Sequence, residues 1–505
     1  MVEFASPERA FWDETPDEVR YPPMQGSASA DVAIIGAGMV GVTLAEILKR
    51  EGKQVVLIEA RRLGAQVTGR STAKLTCLHG LVYADLMRQH GEATAAAYAR
   101  ANQEALEHVA QRVAELGIDC ALERVAAFTH SETGNGLDAI RGEVEAAKRV
   151  GLPVEFVDDA PLPFPIRGAV RLDNQIQFHP FRYLQGLAGG VPGDGSFIFE
   201  QTRALSVDEG DPNRVITDRG VITAADVVIA TNLPFPMRGL FFSRAYPRAH
   251  VVVATRIDPA TMPGGMFLST DTPSYSVRAY RDQRGAVLVA TGQGFRPGSV
   301  DVSDRYDRLR SYVRGHFDVQ EELCWWSNQD YDSMDRLPWV GRMAPQMRVY
   351  VATGFSAWGL SNGTAAARIL ADRILGRADR DGAARCFDTR RWTPRASGVR
   401  FATGNAHVAR DFVRDQVEAL RAPQSSELAL GEGGLVRHHG RLSAVYRDDD
   451  GALHAFAARC NHMGCLLRWN RAERTWECPC HGSRFDARGR LLHGPAVHDM
   501  KRLPP

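Results

Sequence analysis

The sequence predicts two folded parts: a Rossmann-type α/β domain interleaved with an α+β domain, and a small all-β domain at the C-terminus. Three observations support this prediction. A strand, a glycine-rich turn and a helix follow one another between residues 31 and 51. Strand-like segments dominate residues 246–329, and short strands alternate with turns from Leu428 onward. The length of 505 residues is sufficient for two or three domains.

The first element of the α/β domain carries a dinucleotide-binding fingerprint. Residues 31–35 form the predicted strand, residues 36–41 form the turn, and a second strand at residues 55–58 ends in an acidic residue. Glycines allow a pyrophosphate to approach the N-terminus of the helix, and the acid accepts hydrogen bonds from a ribose. The residues predicted to contact the dinucleotide are Gly36, Ala37, Gly38, Met39, Val40, Gly41 and Glu59. This fingerprint alone does not distinguish FAD from NAD.

Hydrophobic periodicity predicts alternating helices and strands further along the chain. Apolar residues recur at helical spacing from residue 82 to about residue 117, which predicts two helices. Residues 121–130 are predicted to form a strand and residues 137–149 a helix. Buried strands are predicted at residues 226–232, 251–254, 287–290 and 349–353.

Two short boxes near the C-terminus combine cysteine and histidine at close spacing. The first reads CNHMGC over residues 460–465, and the second reads CPCHGS over residues 478–483. Two thiolates and two imidazoles suit an iron-sulfur cluster with cysteines on one iron and histidines on the other. A tetrahedral zinc site would accept the same four ligands. The tight Cys-x-His spacing and the second cysteine of each box favour the cluster.

Both boxes resemble those of Rieske 2Fe-2S domains, including the additional cysteines of the high-potential subtype. The resemblance implies a cluster held by two cysteines on one iron and two histidines on the other: Cys460, Cys478, His462 and His481. It also implies a disulfide between Cys465 and Cys480, which would join the two loops.

The segment RRLGAQVTGRSTAKLT, residues 61–76, resembles the flavin loop of glycine oxidase and D-amino-acid oxidase-like proteins, the DAO family. This resemblance selects FAD as the dinucleotide. It also implies that a helix near residue 361 directs its positive end at the flavin and stabilises the charge that reduction places there. The residues that the resemblance adds to the FAD site are Ala60, Arg61, Gly69, Arg70, Ser71, Thr72, Ala204, Ala230, Thr231, Gly354, Trp358, Gly359, Leu360, Ser361, Asn362, Gly363 and Thr364.

No catalytic acid or base is predicted, because hydride transfer to a flavin depends on positioning more than on such a group. Candidates for the flavin and substrate surroundings are Lys74, Tyr275, Arg278 and Trp358. Trp358 replaces the small residue or histidine that is frequent in amine oxidases of the family, so their substrate preference does not transfer. Cys324 does not align with the cysteine that carries covalent flavin in some sarcosine oxidases, which predicts non-covalent FAD.

The motifs predict the domain order. An N-terminal arm at residues 1–30 precedes an FAD-dependent oxidoreductase at residues 31–380. A linker at residues 381–422, with a helix at residues 407–421, leads to an all-β Rieske domain at residues 423–505. Within the oxidoreductase, FAD-binding segments of Rossmann type alternate with segments of an α+β substrate domain: about 31–80, 150–245 and 330–380 for FAD, and about 81–149 and 246–329 for substrate.

Composition limits the range of partners. The net charge of +1 provides no field that would recruit nucleic acid or an anionic membrane surface. No apolar run is long enough to span a membrane, and the acidic N-terminal segment lacks the apolar core of a signal peptide. These features predict a cytoplasmic protein without a membrane span, and they leave its oligomeric state open.

The two cofactors together predict a dehydrogenase-like FAD-dependent oxidoreductase. A flavin accepts a hydride, whereas a 2Fe-2S cluster carries one electron at a time. The DAO resemblance implies oxidation of a C–N bond in a small amine or N-substituted amino acid, with electrons leaving through the cluster to an external one-electron acceptor. The alternative is an electron-transfer protein that exchanges electrons with a separate oxygenase, quinone or carrier. The sequence shows no second Rossmann fingerprint, which weighs against an NAD-dependent reductase.

Overall fold

The structure is a computed structural model that describes residues 9–14, 21–299, 302–379, 381–391, 393, 397–398, 402–403 and 427–504. The helix predicted at residues 407–421 lies outside these described residues. The α-helices with defined bounds in the described ranges are α1 Met39–Arg50, α2 Tyr83–His90, α3 Glu92–Leu116, α4 Leu137–Arg149, α5 Pro180–Ala188, α6 Ser303–His316, α7 Ser361–Ile374 and α8 Ala383–Cys386. Short 3-10 helices occur at Phe11–Glu14, Arg238–Ser243 and Pro259–Thr261.

The strands that precede the C-terminal domain belong to two sheets that alternate along the chain. In chain order they are β1 Gly26–Ile35, β2 Val55–Ile58, β3 Lys74–Leu75, β4 Glu123–Ser131, β5 Val154–Val157, β6 Gly168–Gln177, β7 Phe197–Phe199, β8 Ala204–Asp208, β9 Asn213–Thr217, β10 Gly220–Ile229, β11 Ala245–Ile257, β12 Met266–Ser269, β13 Ser276–Asp282, β14 Gly285–Thr291, β15 Val319–Ser333, β16 Trp339–Arg342 and β17 Val349–Thr353. Their alternation agrees with the interleaved α/β and α+β parts that the sequence predicts.

The first sheet carries the dinucleotide fingerprint. Its main path through the described residues runs β16-β17-β10-β1-β2-β7, and β9 and β8 extend it from β10. Strand β1 pairs in parallel with both β2 and β10, and β10 pairs in parallel with β17. All four residues of β2 are buried, as expected for a parallel strand covered on both faces. Such strands appear in the sequence as continuous apolar runs, and for this reason they could be predicted from it.

The second sheet is largely antiparallel. Its main path through the described residues runs β15-β11-β14-β13-β12-β4-β6-β3, with β5 paired to β6. Strand β15 is therefore an edge strand of this sheet, and it pairs with β11 along almost its whole length. Helix α6 packs against this sheet and was not predicted. Its sequence is strongly polar, and its buried residues are Tyr306, Leu309 and Val313. The periodic pattern of apolar residues that predicts a helix was therefore weak.

The C-terminal domain contains two small antiparallel sheets. Strands β18 Gly433–His438, β19 Arg441–Arg447 and β20 Leu453–Ala457 form the first sheet. Strands β21 Arg468–Asn470, β22 Thr475–Glu477, β23 Arg484–Asp486 and β24 Leu491–His493 form the second. The predicted fold class, an α/β and α+β assembly followed by an all-β domain, is confirmed.

The N-terminal region differs from the predicted arm. Phe11 and Trp12 are buried against the second sheet, and the Trp12 indole N–H donates to the Ser71 carbonyl at 2.7 Å. Strand β1 begins at Gly26, four residues before the predicted boundary at residue 30. Burial of Phe11 and Trp12 was not predicted because the residues around them in the sequence are polar. Among the described residues, no helix combines the length and apolar character required to cross a membrane.

Candidate functional site

The glycine-rich turn that follows β1 lines a cavity of about 1040 Å³. Small-molecule sites commonly occupy about 300–1,000 Å³, so this cavity has room for a large ligand. Many residues predicted to contact FAD line its wall: Gly36, Gly38, Met39, Val40, Glu59, Ala60, Arg61, Ser71, Thr72, Ala204, Ala230, Thr231, Trp358, Gly359 and Leu360. Segments that are distant in sequence therefore meet at one site.

The other residues predicted for the FAD site do not line this wall, although most are chain neighbours of residues that do. They are Ala37, Gly41, Gly69, Arg70, Gly354, Ser361, Asn362, Gly363 and Thr364. The two loop glycines permit close backbone approach, because a Cβ on Gly41 would lie 1.9 Å from the Gly36 oxygen and one on Gly69 would lie 2.3 Å from the Gly64 oxygen. We infer that these residues shape the site without lining it.

The Glu59 carboxylate occupies the position expected of a ribose acceptor. It follows β2 and lines the cavity. The backbone N–H groups of Ala37 and Arg61 donate to its two oxygens at 3.0 and 2.9 Å. Burial raises the pKa of Glu59, and these two hydrogen bonds oppose that shift. A carboxylate oriented in this way suits the ribose hydroxyls of a dinucleotide.

Lys74 and Tyr275 lie on the substrate-domain side of the same cavity. The Lys74 ammonium donates to the Phe267 carbonyl at 3.0 Å and contacts the Ser276 hydroxyl. Burial, assisted by the positive charge of Arg278, lowers the pKa of Lys74 to about 7. Lys74 is therefore a strand residue with a substantial neutral fraction at neutral pH.

Trp358 forms an aromatic wall with His79, a residue that the sequence did not single out. The two rings stack with centroids 4.6 Å apart, and both line the cavity. His79 Nε2 lies 2.7 Å from the Thr76 carbonyl, so Nε2 carries the proton and Nδ1 accepts from the Tyr98 hydroxyl at 2.6 Å. Burial lowers the pKa of His79 to about 3, which keeps the ring neutral.

Arg278 lies outside the wall of the cavity. Its side chain is fully buried and does not line the cavity. The guanidinium donates to the carbonyls of Ala73 and Phe178 at 2.8 and 3.3 Å. The residue 71–74 loop thus lies between Arg278 and the cavity, and Arg278 supports this loop from behind. Cys324 is also buried and does not line the cavity.

The two cysteine-histidine boxes form a pair of similar tight loops. In each loop the glycine N–H donates to the carbonyl of the first cysteine, at 2.9 Å for Gly464 and at 3.0 Å for Gly482. Both glycines have φ of +78°, a conformation that other residues adopt at a cost. A disulfide joins Cys465 and Cys480 across the loops.

The four predicted cluster ligands converge between these loops. Cys460 and Cys478 are both buried and interact with each other, and the ring centroids of His462 and His481 lie 5.0 Å apart. Within the described residues, both Nδ1 atoms are buried without a hydrogen-bond partner. Unpartnered buried polar atoms are costly, and a metal centre would satisfy them. Two adjacent thiols and two open imidazole nitrogens fit a Rieske cluster.

The C-terminal domain also forms part of the cavity wall. Residues 491–497 of this domain line the cavity together with the FAD residues. The Gln66 amide, from the flavin loop, donates to the Leu492 carbonyl. The buried Glu473 carboxylate pairs with Arg484 and accepts from the hydroxyls of Ser327 and Tyr306, at 2.8 and 3.2 Å. Sequence patterns gave no signal for these long-range contacts.

This fold and this pair of sites define an oxidoreductase that combines a flavin with an iron-sulfur centre. Residues 31–373 match the family of FAD dependent oxidoreductases called DAO, and residues 418–504 match the Rieske [2Fe-2S] domain. The chain belongs to the DAO family of FAD-dependent oxidoreductases and carries a C-terminal Rieske domain. Its DAO part binds FAD, and its Rieske domain binds a 2Fe-2S cluster.

One relative matches this chain over almost the whole length of both proteins. The protein named "Putative Rieske 2Fe-2S iron-sulfur protein YhfW" of Bacillus subtilis is 32% identical over 503 residues, which cover 98% of this chain and 97% of the relative. The solved structure of glycine oxidase from Geobacillus kaustophilus is 18% identical with a TM-score of 0.59, and covers 72% of this chain and 100% of its own. L-proline dehydrogenase from P. horikoshii is 18% identical with a TM-score of 0.57, and covers 72% of this chain and 98% of its own. These two structures show a shared fold.

Proposed function

We propose that the protein oxidises a C–N bond of a small amine or N-substituted amino acid and passes the electrons through its Rieske cluster to an external one-electron acceptor. The observation that carries this proposal is the shared cavity, whose wall combines the FAD residues with residues 491–497 of the Rieske domain. When bound, FAD supplies a two-electron acceptor and the cluster supplies a one-electron carrier. The names of the two structural neighbours, an amino acid oxidase and a dehydrogenase, support the substrate class.

Lys74 is our candidate for the group that removes a proton from the substrate. An amine carries a proton at neutral pH, and its nitrogen must be neutral before hydride leaves the adjacent carbon. The Lys74 Nζ lies at the cavity wall, held by the Phe267 carbonyl at 3.0 Å. With its pKa lowered to about 7, Lys74 can accept that proton at neutral pH. Trp358 and Tyr275, which line the same cavity, would hold the substrate in place and exclude water from it.

We therefore expect the turnover of the wild-type protein to rise with pH through about 7, since neutral Lys74 is the active form. Substituting Lys74→Met should remove this ascending limb and lower kcat by about 100-fold, a typical contribution of a general base. The measurement is kcat against pH with saturating amine and an artificial electron acceptor. Lys49→Met is the matched control, because the Lys49 ammonium pairs with Asp194 at 3.1 Å far from the cavity wall. A Lys74→Met variant that retains the limb would exclude Lys74 as the base.

Anaerobic spectroscopy tests the proposed function as a whole. The holoprotein is mixed with a panel of small amines and N-substituted amino acids, and the absorbances of flavin and cluster are followed. We expect at least one compound to bleach the flavin first and the cluster second. If no amine changes either spectrum but NADH changes both, the protein is an electron-transfer partner of a pyridine nucleotide and the proposal is wrong.

A further inference from the structure

Edge strand β15 lies between the FAD cavity and the second cysteine-histidine box of the Rieske domain. Side chains on a strand point alternately to opposite faces, and β15 follows this rule from Asn328 to Asp332. Asn328, Asp330 and Asp332 line the cavity. Between them, Gln329 and Tyr331 point to the opposite side and contact the second cysteine-histidine box of the Rieske domain. The strand is thus a wall with one face toward each cofactor site.

On the cluster side, Tyr331 and Gln329 hold the loop that carries His481. The Tyr331 hydroxyl donates to the His481 carbonyl at 2.8 Å, and the Gln329 amide donates to the Gly482 carbonyl at 2.7 Å. Contact is so close that a Cβ on Gly482 would lie 2.4 Å from the Gln329 nitrogen. Tyr331 itself is fully buried. Because these two hydrogen bonds are made to His481 and to its neighbour Gly482, they hold the loop that carries His481 against β15.

On the cavity side, the same strand holds the segment that presents Trp358. The Ala357 N–H donates to the Asp330 carboxylate at 2.7 Å, and Ala357 precedes Trp358 in the cavity wall. Asn328 donates to the Val67 carbonyl, in the flavin loop, at 3.3 Å. Consecutive residues of β15 therefore bond alternately to the flavin site and to the cluster site.

His493 connects the two faces at the rim of the wall. It belongs to the Rieske domain and lines the cavity, and its Nδ1 lies 3.3 Å from the amide nitrogen of Gln329. Its ring also stacks beside that of Tyr331, with centroids 6.2 Å apart. The side chains of Tyr331 and His493 are thus in contact with each other between the cavity and His481.

We propose that Tyr331 is a positioning residue that docks the His481 loop on β15, so that electrons cross this one strand from flavin to cluster within a single chain. The proposal rests on the proposed function for the direction of electron flow. Each oxidised C–N bond delivers two electrons, so two one-electron transfers cross the wall. Two equivalents of the external acceptor are reduced, and the protons are released to solvent.

The test follows cluster reduction after light-driven reduction of the flavin in the anaerobic full-length holoprotein, with EDTA as the electron donor. In Tyr331→Phe we expect the cluster to be reduced about 10-fold more slowly, the equivalent of about 1.4 kcal/mol, which is near the value of one hydrogen bond. Flavin photoreduction, cluster content and the unfolding temperature should match those of the wild type. Gln329→Leu, which removes the neighbouring donor, should slow the same step.

Tyr306→Phe is the matched control. Tyr306 is also fully buried, and its hydroxyl also reaches the Rieske domain, but at Glu473 rather than at a cluster ligand. We expect this variant to reduce the cluster at the wild-type rate. The proposal is overturned if Tyr331→Phe retains the wild-type rate, or if both tyrosine variants slow equally. EDTA supplies the electrons here, so a failure to find an amine substrate would not affect this result.

Discussion

Replacement of Cys460 by serine is expected to abolish electron delivery to one-electron acceptors while flavin reduction continues. Cys460 is buried beside Cys478, and we propose that it provides one of two thiolates for the cluster. A serine hydroxyl does not ionise near neutral pH, so the variant should lose the centre. We expect its iron content and its turnover with a protein acceptor such as cytochrome c to fall to background. Turnover with an artificial acceptor that reacts at the flavin should persist.

Cys386→Ser is the control for this prediction. Cys386 is also a buried free cysteine, but it packs in the core of the oxidoreductase domain and not at the centre. Its substitution should leave the iron content unchanged. If Cys460→Ser keeps full turnover with cytochrome c, electrons leave the protein from the flavin, and the assignment of the cluster as the exit is wrong.

The second large effect is expected for Gly41→Ala, which should prevent FAD binding. A Cβ at this position would lie 1.9 Å from the Gly36 oxygen, so the turn and α1 must separate. Overpacking of this kind costs about 1–3 kcal/mol, and here the displaced backbone forms the pyrophosphate site. We expect a protein with little flavin absorbance per chain and a lower unfolding temperature.

Gly142→Ala separates this local effect from the general cost of adding a methyl group. Gly142 lies in α4, and no atom would contact its added Cβ. Alanine favours a helix over glycine by about 1 kcal/mol, so this variant should be at least as stable as the wild type and retain its FAD. A Gly41→Ala protein with full flavin content would show that the turn does not approach the pyrophosphate.

Much of the fold was predictable because its signals are local. The buried parallel strand β2 is a continuous apolar run, and the turn that follows β1 requires glycine at positions that a Cβ would fill. The cysteine-histidine boxes combine several required residues within six positions each, and the structure places the four predicted ligands together. The predicted disulfide between the two loops is present.

The wall between the two cofactor sites was not predictable, because its residues look like those of a solvated strand. The segment that ends β15 reads SNQDYDS, yet Gln329, Asp330 and Tyr331 are all buried. Polar residues alternate there because each face bonds to a different part of the protein, and those partners are distant in sequence. His79 was missed for the same reason, since its partner Trp358 follows it by hundreds of residues.

The sequence also did not show whether a buried residue lines the cavity or lies behind its wall. Arg278 and Lys74 are both buried basic residues near the flavin loop, and the sequence did not distinguish their positions. The fold places Lys74 in the cavity wall and covers Arg278 with the Ala73 backbone, so they have different roles. Only the path of the loop distinguishes them.

The most direct test of the central claim, that one chain carries electrons from flavin to cluster, is the concentration dependence of that transfer. The flavin of the wild-type holoprotein is reduced by a light flash without oxygen, with EDTA as the electron donor, and the appearance of the reduced cluster is timed by absorbance and EPR. We expect a first-order rate constant that is unchanged when the protein is diluted. A rate that falls in proportion to the protein concentration would show transfer between molecules and contradict this account.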